Sequence, residues 1–251
     1  MPLVPYRINL PRAGVGAVDR LIELGALDVD LAADGEVAAL LPDNVPPAAV
    51  ARALERNDLS IGDAIGRDAD SVWVLRPPPI QVGAHTLTLS DSAAFGTGLH
   101  ATTALCLEFL VEAAPHEVLD VGTGSGILAL AALTLGAARV TALDVEPAAL
   151  RAAAENAQRN GLAARIDLIE GGPEAVSGQW PFVLANIVAA PLIEMAPTLV
   201  RRVGHHGRLM LSGIGASVEA DVDRAYRRLG LHHLETRARD GWVALLMQAS
   251  W

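Results

Sequence analysis

The chain has 251 residues, 51% of them hydrophobic, with a mean hydropathy of +0.34 and a formal net charge of −10. Its length fits one large domain, or a large one with a small companion, and no run of eighteen apolar residues free of charges and breakers is present to cross a membrane. The acidic balance argues against direct nucleic-acid binding. The single cysteine, Cys106, excludes an internal disulfide and fits a cytoplasmic setting, and the first residues lack the cationic flank and apolar run of a secretory signal.

In chain order, "YRINL" reads as a strand and "AVDRLIELGA" as an amphipathic helix stopped by a glycine. "LDVDLA" and "EVAALL" read as two strands around the turn "ADG". "VPPAAVARALER" opens with prolines, tolerated in a first helical turn, and continues as a helix. "SVWVLR" reads as a further strand. The order β-α-β-β-α-β is that of a ferredoxin-like α+β unit, expected over residues 1–76. "RPPPI" then predicts a stiff extended connector, and a linker is expected over residues 77–92.

From residue 93 the rhythm changes. Strand-length apolar runs alternate with helical patterns: "EVLDVG", "ILALAALTLGA", "RVTALDV", "PAALRAAAENAQRNG", "RIDLIEG", "FVLANI", "PLIEMAPTLVRRV", "GRLMLSGI", "VEADVDRAYRRLG" and "GWVALLMQ". This alternation predicts a mostly parallel, Rossmann-like α/β sheet with helices on both faces over residues 93–251.

"VLDVGTGSG" ends a buried strand and turns into a helix, so its glycines let the backbone approach a ligand. Two ligands compete. "GSGILA" satisfies the dinucleotide pattern G-x-G-x-x-A, and Asp144, twenty residues on, would hold a ribose in either case. Asp120 favours the other ligand. A carboxylate two residues before the first glycine repels a pyrophosphate but attracts the ammonium and sulfonium of S-adenosyl-L-methionine (AdoMet). Asp144 also stands where it would cap the following helix.

The segments "AFGTGLHATTALCL", "VLDVGTGSGILALAALTLGA", "ALDVEP", "AENAQRNG", "LANIVAAPLIEMAPTL" and "LMLSGI" together resemble the PrmA family, the methyltransferases of large-subunit ribosomal protein eleven. The resemblance covers roughly residues 90–251. It implies a class I AdoMet-dependent methyltransferase domain preceded by a small ferredoxin-like substrate-recognition domain. It also implies transfer of methyl groups to lysine or α-amino groups of a ribosomal protein. By the same resemblance Phe95, Gly96, Thr97 and Thr103 line the cofactor or substrate pocket, Gly122 and Gly124 form the cofactor loop, and Asp144 holds the ribose. Glu170 and Gly171 meet the adenine, and Asn186 stands at the methyl-transfer centre. Three loops depart from the family: Asp91 and Ser92 replace a proline-glycine pair, Pro181 stands where an acid is usual, and "HHG" at His205 to Gly207 replaces a proline-glycine-glycine turn. Another amine acceptor, a non-catalytic AdoMet-binding protein and a nicotinamide-dependent oxidoreductase remain open as alternatives.

Other residues are expected to be structural. His100 reads as a hydrogen-bonding loop residue, and Cys106 as a buried small hydrophobe. Asn156 and Asn160 read as the end of a helix before Gly161. The pairs His205–His206 and His232–His233 read as surface turns, and no metal site is expected.

Overall fold

A computed structural model describes residues 6–13, 15–26, 28–31, 35–42, 45–56, 58–62, 80–89 and 100–251. The chain divides into two compact units, Met1–Val74 and Leu75–Trp251.

The first unit runs β1 (Tyr6–Leu10), α1 (Val15–Glu23), β2 (Asp28–Leu31), β3 (Val37–Leu41), α2 (Pro47–Leu54) and β4 (Ser60–Gly62). Its sheet has the order β2-β3-β1-β4 with every neighbour antiparallel. Strand β3 therefore lies between β1 and β2, the arrangement of a split β-α-β connection. Alternation puts Ile8 and Leu10 of β1 and Val37, Ala39 and Leu41 of β3 into one core, with Val18 and Leu21 of α1 and Val50 of α2. The strand expected at "SVWVLR" lies outside the described residues. Among the described residues β1 pairs on its other side with β4, a three-residue segment too short to show any periodicity.

In the second unit, a hairpin of β5 (Ile80–Val82) and β6 (His85–Leu87) is followed by α3 (Ala101–Ala113), β7 (Glu117–Val121), α4 (Ile127–Thr134), β8 (Arg139–Asp144) and α5 (Pro147–Arg159). Then come β9 (Ile166–Glu170), β10 (Trp180–Asn186), α6 (Ala189–Val200), β11 (Val203–Gly215), α7 (Glu219–Arg227), β12 (Leu231–Arg239) and β13 (Trp242–Ala249). The seven-stranded sheet has the order β12-β13-β11-β10-β7-β8-β9. The five strands from β11 to β9 are parallel, and β13 and β12 add an antiparallel ribbon. Strands buried on both faces explain the continuous apolar runs of the sequence.

The two faces carry separate cores. Val118, Val140, Ala142, Phe182, Leu184, Met210 and Ala244 point to a core shared with α3, α4 and the hairpin. Leu119, Val121, Leu143, Val183, Ala185, Leu209 and Leu211 point to the other, shared with α6 and α7. Several expectations are corrected here. Within the expected linker, Ile80, Val82, Leu87 and Leu89 are buried in the first core, so residues 80–89 are part of the large unit. His232 and His233 are not in a turn but in the edge strand β12, which the sequence reading passed over because nearly all its residues face solvent. His205 and His206 sit in an irregular stretch of β11, where Val203 pairs with Trp180 but Arg208 with Phe182. That same irregularity accommodates Pro181 inside a central strand, where a missing N–H would otherwise break the ladder.

Candidate functional site

Side chains alternate along a strand, so a residue two beyond a core residue shares its face. Asp120 follows Val118, Asp144 follows Ala142, Glu170 follows Leu168, Asn186 follows Leu184 and Ser212 follows Met210. All five lie on the face beneath α3 and α4, at or near the carboxyl ends of five adjacent parallel strands. Register aligns them further. Asn186 pairs with Ser212, and Asp144 with Glu170. Val121 pairs with both Ala185 and Leu143, so Gly122, one residue on, is level with Asn186 on one side and Asp144 on the other. The sheet edge thus reads Glu170, Asp144, Gly122, Asn186, Ser212 in one row. The glycine stands in the middle, at the end of β7, beside the boundary between β7 and β10 where the strand order reverses. That is the topological switch point at which open α/β sheets bind ligands.

The cofactor loop grows out of this row. Gly122 has φ of 73° and Gly124 of 54°. A Cβ on Gly122 would come within 2.8 Å of the Ile187 side chain, so glycine is needed both for the turn and for the neighbour. Gly213 is needed more strictly, since its Cβ would meet the Ile187 carbonyl oxygen at 2.5 Å. The Gly124 N–H donates to Asp144 Oδ2 at 2.8 Å, and the Glu146 N–H donates to Asp144 Oδ1 at 3.0 Å. Asp144 does not cap α5, whose N-cap is Glu146 with no side-chain cap hydrogen bond; it closes the turn ahead of that helix while also holding the loop, and each of its oxygens retains lone-pair capacity. The Gly171 N–H donates to the Asp144 carbonyl at 2.9 Å, which brings Glu170 and Gly171 against the same corner. Beside them Val145 is 67% exposed. A large apolar side chain left bare next to a polar row is a signal that the sequence reading missed.

Asp120 corrects an expectation. It is only 1% exposed, and its Oδ2 accepts the Thr123 hydroxyl at 2.7 Å. Burial pushes its carboxyl up to about 7, with the nearby Asp144 adding to the rise and the Thr123 hydroxyl opposing it. It lies beneath the glycine loop rather than facing solvent as an open carboxylate.

On the other side of the row, α3 begins at His100, whose side chain accepts the Thr102 N–H, as expected of a structural histidine. The His100 ring also packs edge-on against Trp242, centroids 5.0 Å apart. Ser212 Oγ lies 3.4 Å from the Thr102 carbonyl oxygen and ties the first turn of α3 to the row. Ser212 was not singled out from the sequence, because its importance rests on register alone. Thr103 is fully buried, and its Oγ1 has no hydrogen-bond partner among the described residues; the same is true of Asn186 Oδ1. Phe95, Gly96 and Thr97 lie outside the described residues. Cys106 is buried and its thiol is pushed up to about 12, which leaves it inert. Asn156, expected to end a helix, is instead fully buried and donates to the Ser125 carbonyl at 2.8 Å. Among the described residues no cluster of three histidine, cysteine or carboxylate side chains is placed to hold a metal, and no helix is long and apolar enough to cross a membrane.

Residues 72–250 match the family described as ribosomal protein L11 methyltransferase (PrmA). A ribosomal protein L11 methyltransferase of Sorangium cellulosum is 44% identical over 200 residues, covering 70% of this chain and 63% of its own length. That of Chromohalobacter salexigens is 45% identical over 181 residues, covering 70% of this chain and 59% of its own. The chain thus spans about three fifths of the length of these curated relatives. The crystal structure of a ribosomal protein L11 methylase from Lactobacillus delbrueckii subsp. bulgaricus superposes with a TM-score of 0.58 at 33% identity, covering 63% of this chain and 82% of that one. With more than half of its residues matched, the chain belongs to the ribosomal protein L11 methyltransferase (PrmA) family.

Proposed function

We propose that the protein is an AdoMet-dependent protein N-methyltransferase that modifies lysine or α-amino groups of ribosomal protein L11 in the cytoplasm. The observation that carries this reading is the polar row across the switch point, with its two buried and unpartnered oxygens. A buried acceptor without a donor costs roughly 1–3 kcal/mol. Asn186 Oδ1 and Thr103 Oγ1 therefore favour a ligand that brings donors to them, and an amine entering between α3 and β10 does so.

The residues fit AdoMet. Asp144 has the lone pairs to accept both ribose hydroxyls while keeping the Gly124 N–H. Val145, with Glu170 and Gly171, offers an apolar face and polar edge to the adenine. Asp144, whose two carboxylate oxygens keep lone pairs beyond the Gly124 and Glu146 N–H groups, gives the corner a negative character that suits a cation and opposes a diphosphate. Gly122 leaves room for close approach at the centre of the row. When bound, AdoMet supplies an activated methyl group, so the protein's part is positional.

The acceptor amine has an ordinary pKa near roughly 10.4 and must lose a proton before it can react. The apolar surroundings under α3, with Leu105, Cys106 and Phe109 buried, disfavour its charged form. Asn186 is no base at neutral pH. Its Oδ1 accepts a hydrogen bond from the amine and turns the lone pair toward the donor, while Thr103 Oγ1 provides a second contact from α3. The small N-terminal unit, read as a ferredoxin-like substrate-recognition domain, would select the protein substrate. Calorimetric titration with AdoMet and with NAD, followed by incubation with labelled AdoMet and purified ribosomal protein L11, tests the reading. Binding of AdoMet and label on L11 are expected. Heat with NAD and none with AdoMet would overturn it.

A further inference from the structure

The interior face of α5 carries Ala149, Ala152, Ala153, Asn156 and Ala157. Asn156 is the one polar residue on it and is fully buried. Alanine is the better helix former at such a position, and an unused amide would be costly there, so the amide has a task. Its Nδ2 donates to the carbonyl of Ser125, inside the cofactor loop, at 2.8 Å. One turn later comes Asn160. Its Oδ1 accepts the Thr88 N–H at 3.0 Å, and its Nδ2 donates to the Thr88 carbonyl at 2.8 Å and to the Asn156 carbonyl at 2.7 Å. Pairing with both backbone groups of one residue is what a neighbouring strand would do, so Thr88 is clamped in both directions. Thr88 follows β6 and stands two residues before residues 90–99, which carry the first glycine-rich sequence. A hydrogen-bonded path therefore runs from Thr88 through Asn160 and Asn156 to Ser125. Packing follows the same line, since a Cβ on Gly126 would lie 3.0 Å from Ala153 Cβ and 3.2 Å from its Cα.

We infer that Asn156 and Asn160 are positioning residues, a two-amide brace by which helix α5 holds the cofactor loop and the chain leaving β6 to one common support. The inference rests on the proposed function, because the geometry that it guards is that of the AdoMet site. Neither amide touches the ligand. Each acts through backbone that does, or that leads to it.

The test uses Asn156→Ala, Asn160→Ala, Asn160→Asp and the double alanine variant in the full chain. AdoMet affinity is measured well below each variant's melting temperature. Each alanine variant is expected to weaken AdoMet binding roughly 10-fold. KM for AdoMet should rise accordingly, with kcat held within about 3-fold. Asn160→Asp keeps the acceptor for the Thr88 N–H but sets a carboxylate oxygen against the Thr88 and Asn156 carbonyl oxygens, so it should weaken binding at least as much as alanine. The double variant should lose clearly less than the product of the single losses, because one path is cut twice. Lower melting temperatures with wild-type AdoMet affinity would overturn the brace and reduce both residues to fold stabilisers. A wild-type protein that fails to bind AdoMet would instead overturn the proposed function. The brace is then read by hydrogen exchange alone: the amides of residues 122–127 should exchange faster in Asn156→Ala, and unchanged exchange would overturn it.

Discussion

On strand β12, Arg237 donates to Glu112 of α3 and, at 2.7 Å, to Glu235, and its guanidinium lies 4.0 Å from the centre of the Phe109 ring. Arg239 reaches Glu108 at 2.6 Å. The antiparallel ribbon thus covers part of α3 with polar groups that pair among themselves in solvent. At the carboxyl ends of the parallel strands the polar groups are arranged otherwise. Asn186 Oδ1 and Thr103 Oγ1 are buried without partners, Asp144 has oxygens to spare, and Asp120 is buried with a raised pKa. Exposed pairs contribute little to stability and leave nothing for a ligand. Buried groups left incomplete are destabilising by themselves, and they persist where something else completes them. What marks the site is thus the number of polar groups left unsatisfied at this edge.

The comparison can be broken most decisively at Asn186. Asn186→Ala should lower turnover by roughly 100-fold while AdoMet affinity stays within several-fold. A methyl-transfer assay beside calorimetry reads both, and unchanged turnover would remove Asn186 from the reacting centre. Next is Asp144→Ala, which removes the ribose acceptor and the hold on the Gly124 N–H together. It should weaken AdoMet binding by about 10- to 100-fold by calorimetry.

Asp120 sharpens the contrast through pH. Its folded pKa, about 7, lies above the ordinary value of 3.8, so the fold prefers the neutral carboxyl. The associated stability is fully present below about pH 4 and is lost as pH rises through about 7. The melting temperature of the ligand-free protein should therefore fall between roughly pH 4 and pH 7, and Asp120→Asn should flatten that fall. AdoMet, being cationic, should stabilise the wild type more at the upper pH. The smallest effect belongs to the ribbon. Arg237→Ala should cost about 1 kcal/mol or less in a denaturant titration, and leave AdoMet affinity unchanged.

Much of this architecture is legible from the residues. The parallel strands show as continuous apolar runs because they are buried on both faces; Gly122 and Asp144 stand out by their place at the ends of those runs, whereas Asn186 is marked only by the family resemblance. Strand β12 leaves no such trace, since only Leu231 at its start is buried. The hairpin is hidden by the prolines before it, although Ile80, Val82, Leu87 and Leu89 alternate as a half-buried ribbon should. Ser212 and Asn156 are invisible for a different reason. A serine in a strand and an asparagine in a helix gain meaning only from what the register and the packing bring beside them. Asp120 is visible as an acid, but its burial beneath the loop is a property of the folded turn.

Strand β13 pairs with β11 on one side and β12 on the other, so β12 is joined to the sheet only through a strand that follows it in the chain. During synthesis β12 must wait with both edges open until β13 emerges and slides between its neighbours. Strand β13 is thus a keystone, and a ribosome stalled before residue 242 would expose two unsealed edges to aggregation and proteolysis.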